Sequence, residues 1–139
     1  MLLYPKKTKF KTLFSRKRIK FLNNRIFGAS LKDFTIVSVE AGKLNNKQIE
    51  SLGKILKRLL KSQGKYWLNL FPNKTITKKS EGVRMGKGKG NLKFWYSSIS
   101  KGAVLAEISG CSWGQTKKVI WHARKKLSIG LLLTVDRTL

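Results

Sequence analysis

The sequence is poor in the residues that build disulfides, metal sites and catalytic acid–base pairs. Its 139 residues include one cysteine, one histidine and six acidic residues. A lone Cys111 excludes an internal disulfide framework and any multi-cysteine zinc site, and a lone His122 cannot form a histidine-rich metal cage. The acids are scattered, and no local pair has the spacing of an acid–base couple. We therefore expect neither an enzyme nor a bound metal or cofactor.

Long hydrophobic runs are also missing. The apolar segment 130–135 has the length of a strand and falls well short of the roughly 20 residues that a membrane helix needs. Apolar residues still make up 41% of the chain and aromatic residues 10%, so a core can be buried. The length fits one domain.

Positive charge is what the chain has in excess. It carries 31 Lys plus Arg against 6 Asp plus Glu, a formal charge of +25. Such an excess opposes compact folding by self-repulsion, and a polyanion relieves that repulsion. Nucleic acid is the commonest polyanionic partner, and an anionic membrane surface is the second.

The basic residues are grouped in blocks, and the largest block is N-terminal. Residues 1–25 hold nine Lys or Arg and no acid, together with several aromatic residues. This pattern predicts an RNA-tracking arm. An organelle transit peptide is the alternative, and the early Pro5 favours a mature N-terminus. We expect residues 1–30 to form this basic N-terminal arm and residues 31–139 to form a single RNA-binding domain.

Hydrophobic periodicity predicts two helices among about six strands. The first helix has Asn45 as N-cap, Gln48 in the capping-box position and Gly64 at its C-terminal cap; the second begins after Ser112, with Gln115 in the same position, and runs to about Leu127. The predicted apolar face of the second helix comprises Thr116, Val119, Ile120, Ala123 and Leu127. We predict strands at 34–39, 66–71, 75–77, 92–99, 103–108 and 131–135, with 92–99 and 103–108 paired as a hairpin. This pattern predicts a single α+β sandwich, with Trp67, Trp95 and Trp121 in its core.

A glycine-rich segment interrupts the strands at residues 80–91 and is predicted to be a flexible loop. Its alternating Gly86, Gly88 and Gly90 leave backbone N–H groups accessible to phosphate. The spacing fits neither a Walker loop, since Lys87 is followed by glycine, nor a dinucleotide fingerprint, since a strand follows. A solvated surface loop is the plain alternative. Combined with the net charge, the pattern favours RNA.

Several motifs in order resemble the large-subunit ribosomal protein sixteen family of bacteria and organelles, whose archaeal and eukaryotic relatives are protein ten-e. The resemblance rests mainly on the basic opening 5–11, on 64–67, on 71–77, and on 84–91 closed by Trp95. It implies an α/β-hammerhead-like fold bound to large-subunit ribosomal RNA, with no bond chemistry. It also implies that loop 84–90 reaches toward the peptidyl-transferase region and bound transfer RNA.

The resemblance and the basic blocks together give the expected RNA-binding residues. They lie in the arm, around the loop and on the strands beside it: Lys6, Lys7, Lys9, Lys11, Arg16, Lys17, Arg18, Lys74, Lys78, Arg84, Met85, Lys87, Lys89 and Lys93. The expected partners are large-subunit ribosomal RNA, transfer RNA at the A- and P-site region, and neighbouring ribosomal proteins. No membrane and no homo-oligomer is expected.

The origin of the chain is suggested by its composition. Lysine outnumbers arginine by 24 to 7, and Asn, Ile and Phe are frequent, as an A+T-rich genome tends to produce. With no recognisable presequence, this bias favours a mitochondrion-encoded member, with a plastid or a bacterial cytoplasm as alternatives. Two rival functions stay open from the sequence: a protein that binds membrane surfaces or polyanions through residues 1–25, and a phosphate-processing enzyme built on the glycine loop.

Overall fold

Seven strands and two helices make up the regular structure within residues 4–10, 12, 33–61, 64–86 and 88–135, which the computed structural model describes. The predicted α+β class is confirmed. In chain order the elements are β1 (Phe34–Ser38), β2 (Gly42–Asn45), α1 (Asn46–Leu60), β3 (Lys65–Leu68), β4 (Lys74–Lys78), β5 (Asn91–Ile99), β6 (Val104–Ser109), α2 (Trp113–Arg124) and β7 (Leu131–Val135).

Helix α1 begins as its sequence predicts and ends differently. The backbone N–H of Asn45 donates to Gln48 Oε1 at 2.9 Å, half of a capping box. Its buried side comprises Ile49, Leu52, Ile55, Leu56 and Leu60, each of which contributes roughly 1.5–3 kcal/mol through burial.

The predicted cap at Gly64 is wrong, because the helix ends at Leu60 and the positive φ of 47° belongs to Lys61. Gly64 serves close packing instead. A Cβ at this position would lie 2.0 Å from Cys111 Sγ and 3.0 Å from the Ser109 carbonyl oxygen. The glycine therefore allows the chain entering β3 to pass against the segment that leads into α2.

Helix α2 also begins as predicted. The Ser112 N–H donates to Gln115 Oε1 at 3.2 Å, and the Ser112 hydroxyl accepts from the Gln115 N–H at 3.4 Å. The predicted apolar face is confirmed, since Thr116, Val119, Ile120, Ala123 and Leu127 are all buried. The helix itself ends at Arg124, before Leu127.

The strands form two antiparallel sheets, and one predicted pairing is wrong. The described strands are ordered β3-β6-β1-β7 in one sheet and β2-β5-β4 in the other. The expected hairpin between β5 and β6 is absent from this order, because the chain crosses between the sheets at residues 100–103. There the Gly102 N–H donates to the Ser38 carbonyl at 2.8 Å and the Ser38 N–H donates to the Ala103 carbonyl at 2.9 Å.

One hydrophobic core joins the helices to both sheets. It includes Phe34 and Ile36 from β1, Leu44 from β2, Ile99 from β5 and Ile108 from β6, packed with the buried sides of α1 and α2. In the described ranges, no helix combines the length and the apolarity needed to cross a bilayer. The core leaves the loop between β4 and β5 and the outer side of α2 on the surface.

Candidate nucleic-acid interface

The glycine loop, residues 79–90 between β4 and β5, is tied at its base. The Lys79 ammonium donates to the Gly86 carbonyl, and Lys78 Nζ lies 3.4 Å from Glu81 Oε1. A Cβ on Gly90 would lie 2.6 Å from backbone atoms of Lys78 and Lys79. The two strands of the base therefore approach so closely that only glycine fits.

The tip of the glycine loop is open. Met85 is fully exposed, and Arg84 is exposed beside it. Gly82, Gly86 and Gly88 have φ values of 81°, 104° and 78°, and no atom lies within 4 Å of a Cβ built on any of them. The positive φ values require glycine. Here the glycines shape the backbone without packing, and they leave the Arg84 guanidinium free to reach a phosphate.

The predicted RNA-binding residues divide into three groups by position. Exposed side chains described by the structure are those of Lys6, Lys7, Lys9, Lys78, Arg84, Met85, Lys89 and Lys93. Lys74 is half-buried, and its Nζ donates to Ser98 Oγ at 2.6 Å across β4 and β5. Outside the described residues lie Lys11, Arg16, Lys17, Arg18 and Lys87. The structure therefore brings the loop residues together with Lys74 and Lys93 around β4 and β5.

Acidic side chains are engaged with partners inside the chain. Glu50 accepts from Lys54 at 2.8 Å; that hydrogen bond, and then the charge of Lys54, lower the pKa of this carboxyl. Asp33 accepts from the Gly110 N–H at 2.7 Å, and Glu107 is buried, with Asn69 donating to it. These contacts hold three of the six acidic side chains in defined positions within the chain.

Two of the three tryptophans predicted to be in the core lie on the surface. Trp67 is 39% exposed and Trp121 is 55% exposed, while Trp95 is half-buried. The prediction failed because each tryptophan was assigned to the core only on the ground that it lies within a predicted helix or strand. Helical spacing places Trp121 on a different side of the helix from Val119, Ile120 and Ala123. It places Trp121 on the same side as Lys117 and Lys125.

The surroundings of Cys111 and His122 indicate structural roles for both side chains. Burial, and then the negative charge of Asp33, raise the pKa of the half-buried Cys111 thiol, which opposes thiolate chemistry. The His122 ring contacts the Trp121 ring edge-on at 4.8 Å between centroids. Across the residues that the structure describes, no three His, Cys, Asp or Glu side chains cluster as a metal site.

Two cavities lie in the described part of the structure. One, of about 520 Å³, lies between α1 and β3 and is lined by the Glu50–Lys54 ion pair, Gly53, Lys57, Tyr66 and Leu68. The other, of about 180 Å³, lies against the glycine loop and is lined by Lys79, Ser80, Val83, Gly86, Lys89, Gly90 and Asn91. The second is a shallow basic recess suited to a phosphate group.

Comparison with known proteins decides the family. Residues 5–132 match the family model described as "Ribosomal protein L16p/L10e". The chain belongs to this family. Relatives named "Large ribosomal subunit protein uL16" include one from Blochmanniella floridana, 42% identical over 126 residues, which cover 89% of each chain. Others come from Buchnera aphidicola subsp. Baizongia pistaciae (41%) and Wigglesworthia glossinidia brevipalpis (42%), each over 130 residues, with 92% of this chain and 93% of the relative covered.

Membership of the L16p/L10e family confirms the resemblance seen in the sequence and gives the broad role. The chain is a structural constituent of the large ribosomal subunit, acting in translation. The family is non-enzymatic. Ribosomal RNA and neighbouring ribosomal proteins are its expected surroundings.

Proposed function

We propose that this chain binds large-subunit ribosomal RNA through its basic surface and places the tip of the glycine loop beside the transfer-RNA passage, near the peptidyl-transferase and A-site region. One observation carries the proposal: Arg84 and Met85 stand exposed at the tip of a loop whose base is tied by Lys79 and Gly90. A tied base fixes where the loop points, and a glycine tip lets it follow the backbone of a nucleic acid.

In this proposal, the two parts of the chain expected from the sequence have different roles. Residues 1–30 act as an arm that tracks RNA, and the domain 31–139 carries the loop. Lys6, Lys7 and Lys9, with their exposed side chains, neutralise phosphates, as do Lys89 and Lys93 nearer the loop. The chain acts as a single copy among ribosomal RNA, transfer RNA and neighbouring proteins, away from any membrane.

Salt dependence tests the RNA half of the proposal. Ten phosphate contacts predict a slope of roughly −7 to −9 when the logarithm of the binding constant is plotted against the logarithm of salt concentration. Filter binding of the full chain to large-subunit ribosomal RNA fragments measures this slope. Affinity that hardly changes between low and high salt would contradict the electrostatic mechanism.

Loop substitutions test the placement beside transfer RNA. We expect large subunits that carry Arg84→Ala with Lys87→Ala to assemble normally and to synthesise peptide more slowly. The matched control is Lys47→Ala with Arg58→Ala, which removes equal charge from exposed positions of α1. Sucrose gradients report assembly, and elongation assays report rate. Unchanged elongation in the loop variant would remove the proposed role of the loop.

The cellular compartment is a separate proposal. The excess of lysine over arginine, with the frequent Asn, Ile and Phe, supports a mitochondrial ribosome, while the bacterial relatives support a bacterial cytoplasm. Quantitative mass spectrometry of ribosomes from purified mitochondria and from the remaining cell extract distinguishes them. If the chain were recovered only outside the mitochondrial fraction, the mitochondrial proposal would be wrong.

A further inference from the structure

Helix α2 carries tryptophan and lysine in alternation along its outer side. Trp113, Lys117, Trp121 and the C-cap residue Lys125 are spaced four residues apart, and we call them the α2 stripe. Residues at this spacing are neighbours on one side of a helix. Both indoles are well exposed, at 46% and 55%, while the opposite side of the helix is buried in the core. The stripe therefore lies on a rigidly anchored support.

Each indole is held by further contacts. Lys125 Nζ lies 3.4 Å from the centroid of the Trp121 ring, and Lys117 Nζ lies 5.1 Å from that of Trp113. Trp113 also packs against Phe34 at 5.8 Å between centroids. These cation–π contacts place a positive charge over one face of each ring, and the exposed fractions show that other ring surface stays open.

The stripe lies in a strongly basic part of the chain, and one acid is near its start in space, since Asp33 accepts from the Gly110 N–H. Residues 117–126 contain five Lys or Arg, and no acid occurs anywhere from 108 to 135. A protein partner fits this composition poorly, because lysine is depleted at the centres of protein–protein interfaces. An RNA fits it well, because an unpaired base offers a flat face to an indole while its phosphate meets an ammonium group.

We propose that the α2 stripe binds unpaired bases of RNA, which stack on Trp113 and Trp121 while Lys117 and Lys125 contact the adjoining phosphates. The inference rests on the proposed function, and it adds a second contact surface that works by stacking. Eight residues of helix place the two indoles about 12 Å apart along the axis, so they receive different bases.

Two probes of equal phosphate charge separate stacking from electrostatics. One is a short oligouridylate, and the other is an abasic strand of the same length. Binding of the full chain is measured by tryptophan fluorescence and by anisotropy of the labelled strand, at raised salt, where phosphate contacts are weakened. We expect the oligouridylate to bind more tightly than the abasic strand and to quench the fluorescence.

The deciding variant is Trp113→Ala with Trp121→Ala. We expect it to bind the oligouridylate at least about 30-fold more weakly, because two stacked bases are lost, and to bind the abasic strand as the unsubstituted chain does. Trp113→Phe with Trp121→Phe keeps the rings and should retain most of the affinity. The matched control, Trp67→Ala, removes an exposed indole from β3 and should leave both affinities unchanged. Circular dichroism verifies that each variant is folded.

The outcomes separate the two proposals. Equal affinity of the chain and its double alanine variant for the oligouridylate, with normal salt-dependent binding to ribosomal RNA fragments, would overturn the stacking inference alone. The stripe would then belong to an acidic protein neighbour. Failure of the unsubstituted chain to bind ribosomal RNA fragments would overturn the proposed function and this inference together.

Discussion

The glycine loop and helix α2 are both strongly basic, and they hold their charges in opposite ways. The loop contains no aromatic residue, and Arg84 and Met85 are exposed in it; a Cβ built on the nearby Gly86 or Gly88 would have no neighbour within 4 Å. Helix α2 has a buried side that fixes its exposed one. A loop of this kind suits phosphates, whose positions vary along an RNA, whereas a fixed helix suits flat bases, which require a defined ring orientation.

The largest expected effect on the free energy of unfolding comes from a substitution on the buried side of α2. Ile120→Ala removes a side chain that is only 8% exposed and should lower the free energy of unfolding by about 2–5 kcal/mol. Met85→Ala at the loop tip should change it by no more than about 0.5 kcal/mol, because Met85 is fully exposed. Urea denaturation followed by circular dichroism measures both. Similar losses in the two variants would contradict the contrast between an anchored helix and a free tip.

A smaller effect distinguishes the two ends of the loop. Gly90→Ala forces a Cβ to within 2.6 Å of backbone atoms of Lys78 and Lys79, where β4 and β5 pair, and should cost about 1–3 kcal/mol. Gly86→Ala should cost less, because only its positive φ of 104° opposes the substitution and no neighbouring atom does. The same denaturation experiment compares them. An equal or larger loss in Gly86→Ala would show that backbone conformation constrains the loop more than the close approach at Gly90.

Local signals in the sequence were sufficient for the helices and for the positions of most strands. Capping residues and apolar periodicity act over a few neighbours, which is why the starts of both helices and the buried side of α2 were predicted correctly. Local signals of this kind do not determine which strands pair with each other. The predicted β5–β6 hairpin is wrong because β5 pairs with β2 and β4, whereas β6 pairs with β1 and β3; the strand β2 was not predicted.

The candidate site shows the same limit. The glycine spacing and the charge located the loop, but neither indicated that Lys79 ties its base through the Gly86 carbonyl. Trp121 was predicted to lie in the core, and a stricter use of helical spacing would have placed it on the basic side of α2. The role of Gly64 depends on contact with Cys111, which is far from it in sequence, so no local pattern could reveal it.

The smallest expected effect concerns the segment just before α2. Burial, and then the charge of Asp33, raise the pKa of the Cys111 thiol, so the thiolate fraction near pH 8 is lower in the folded chain than in the unfolded one. Since the thiolate is the nucleophile, iodoacetamide should alkylate the native chain more slowly than the urea-unfolded chain. Mass spectrometry of the alkylated protein over time measures both rates.

Asp33→Asn refines the same measurement. It removes the nearby negative charge and keeps a side chain able to accept the Gly110 N–H, so alkylation of the folded variant should be slightly faster than that of the unsubstituted chain. The change is small because burial is the larger cause of the raised pKa. If the native and unfolded chains react equally fast, the segment that leads into α2 is not held against Gly64, and the fixed support on which the helix presents its tryptophans is lost.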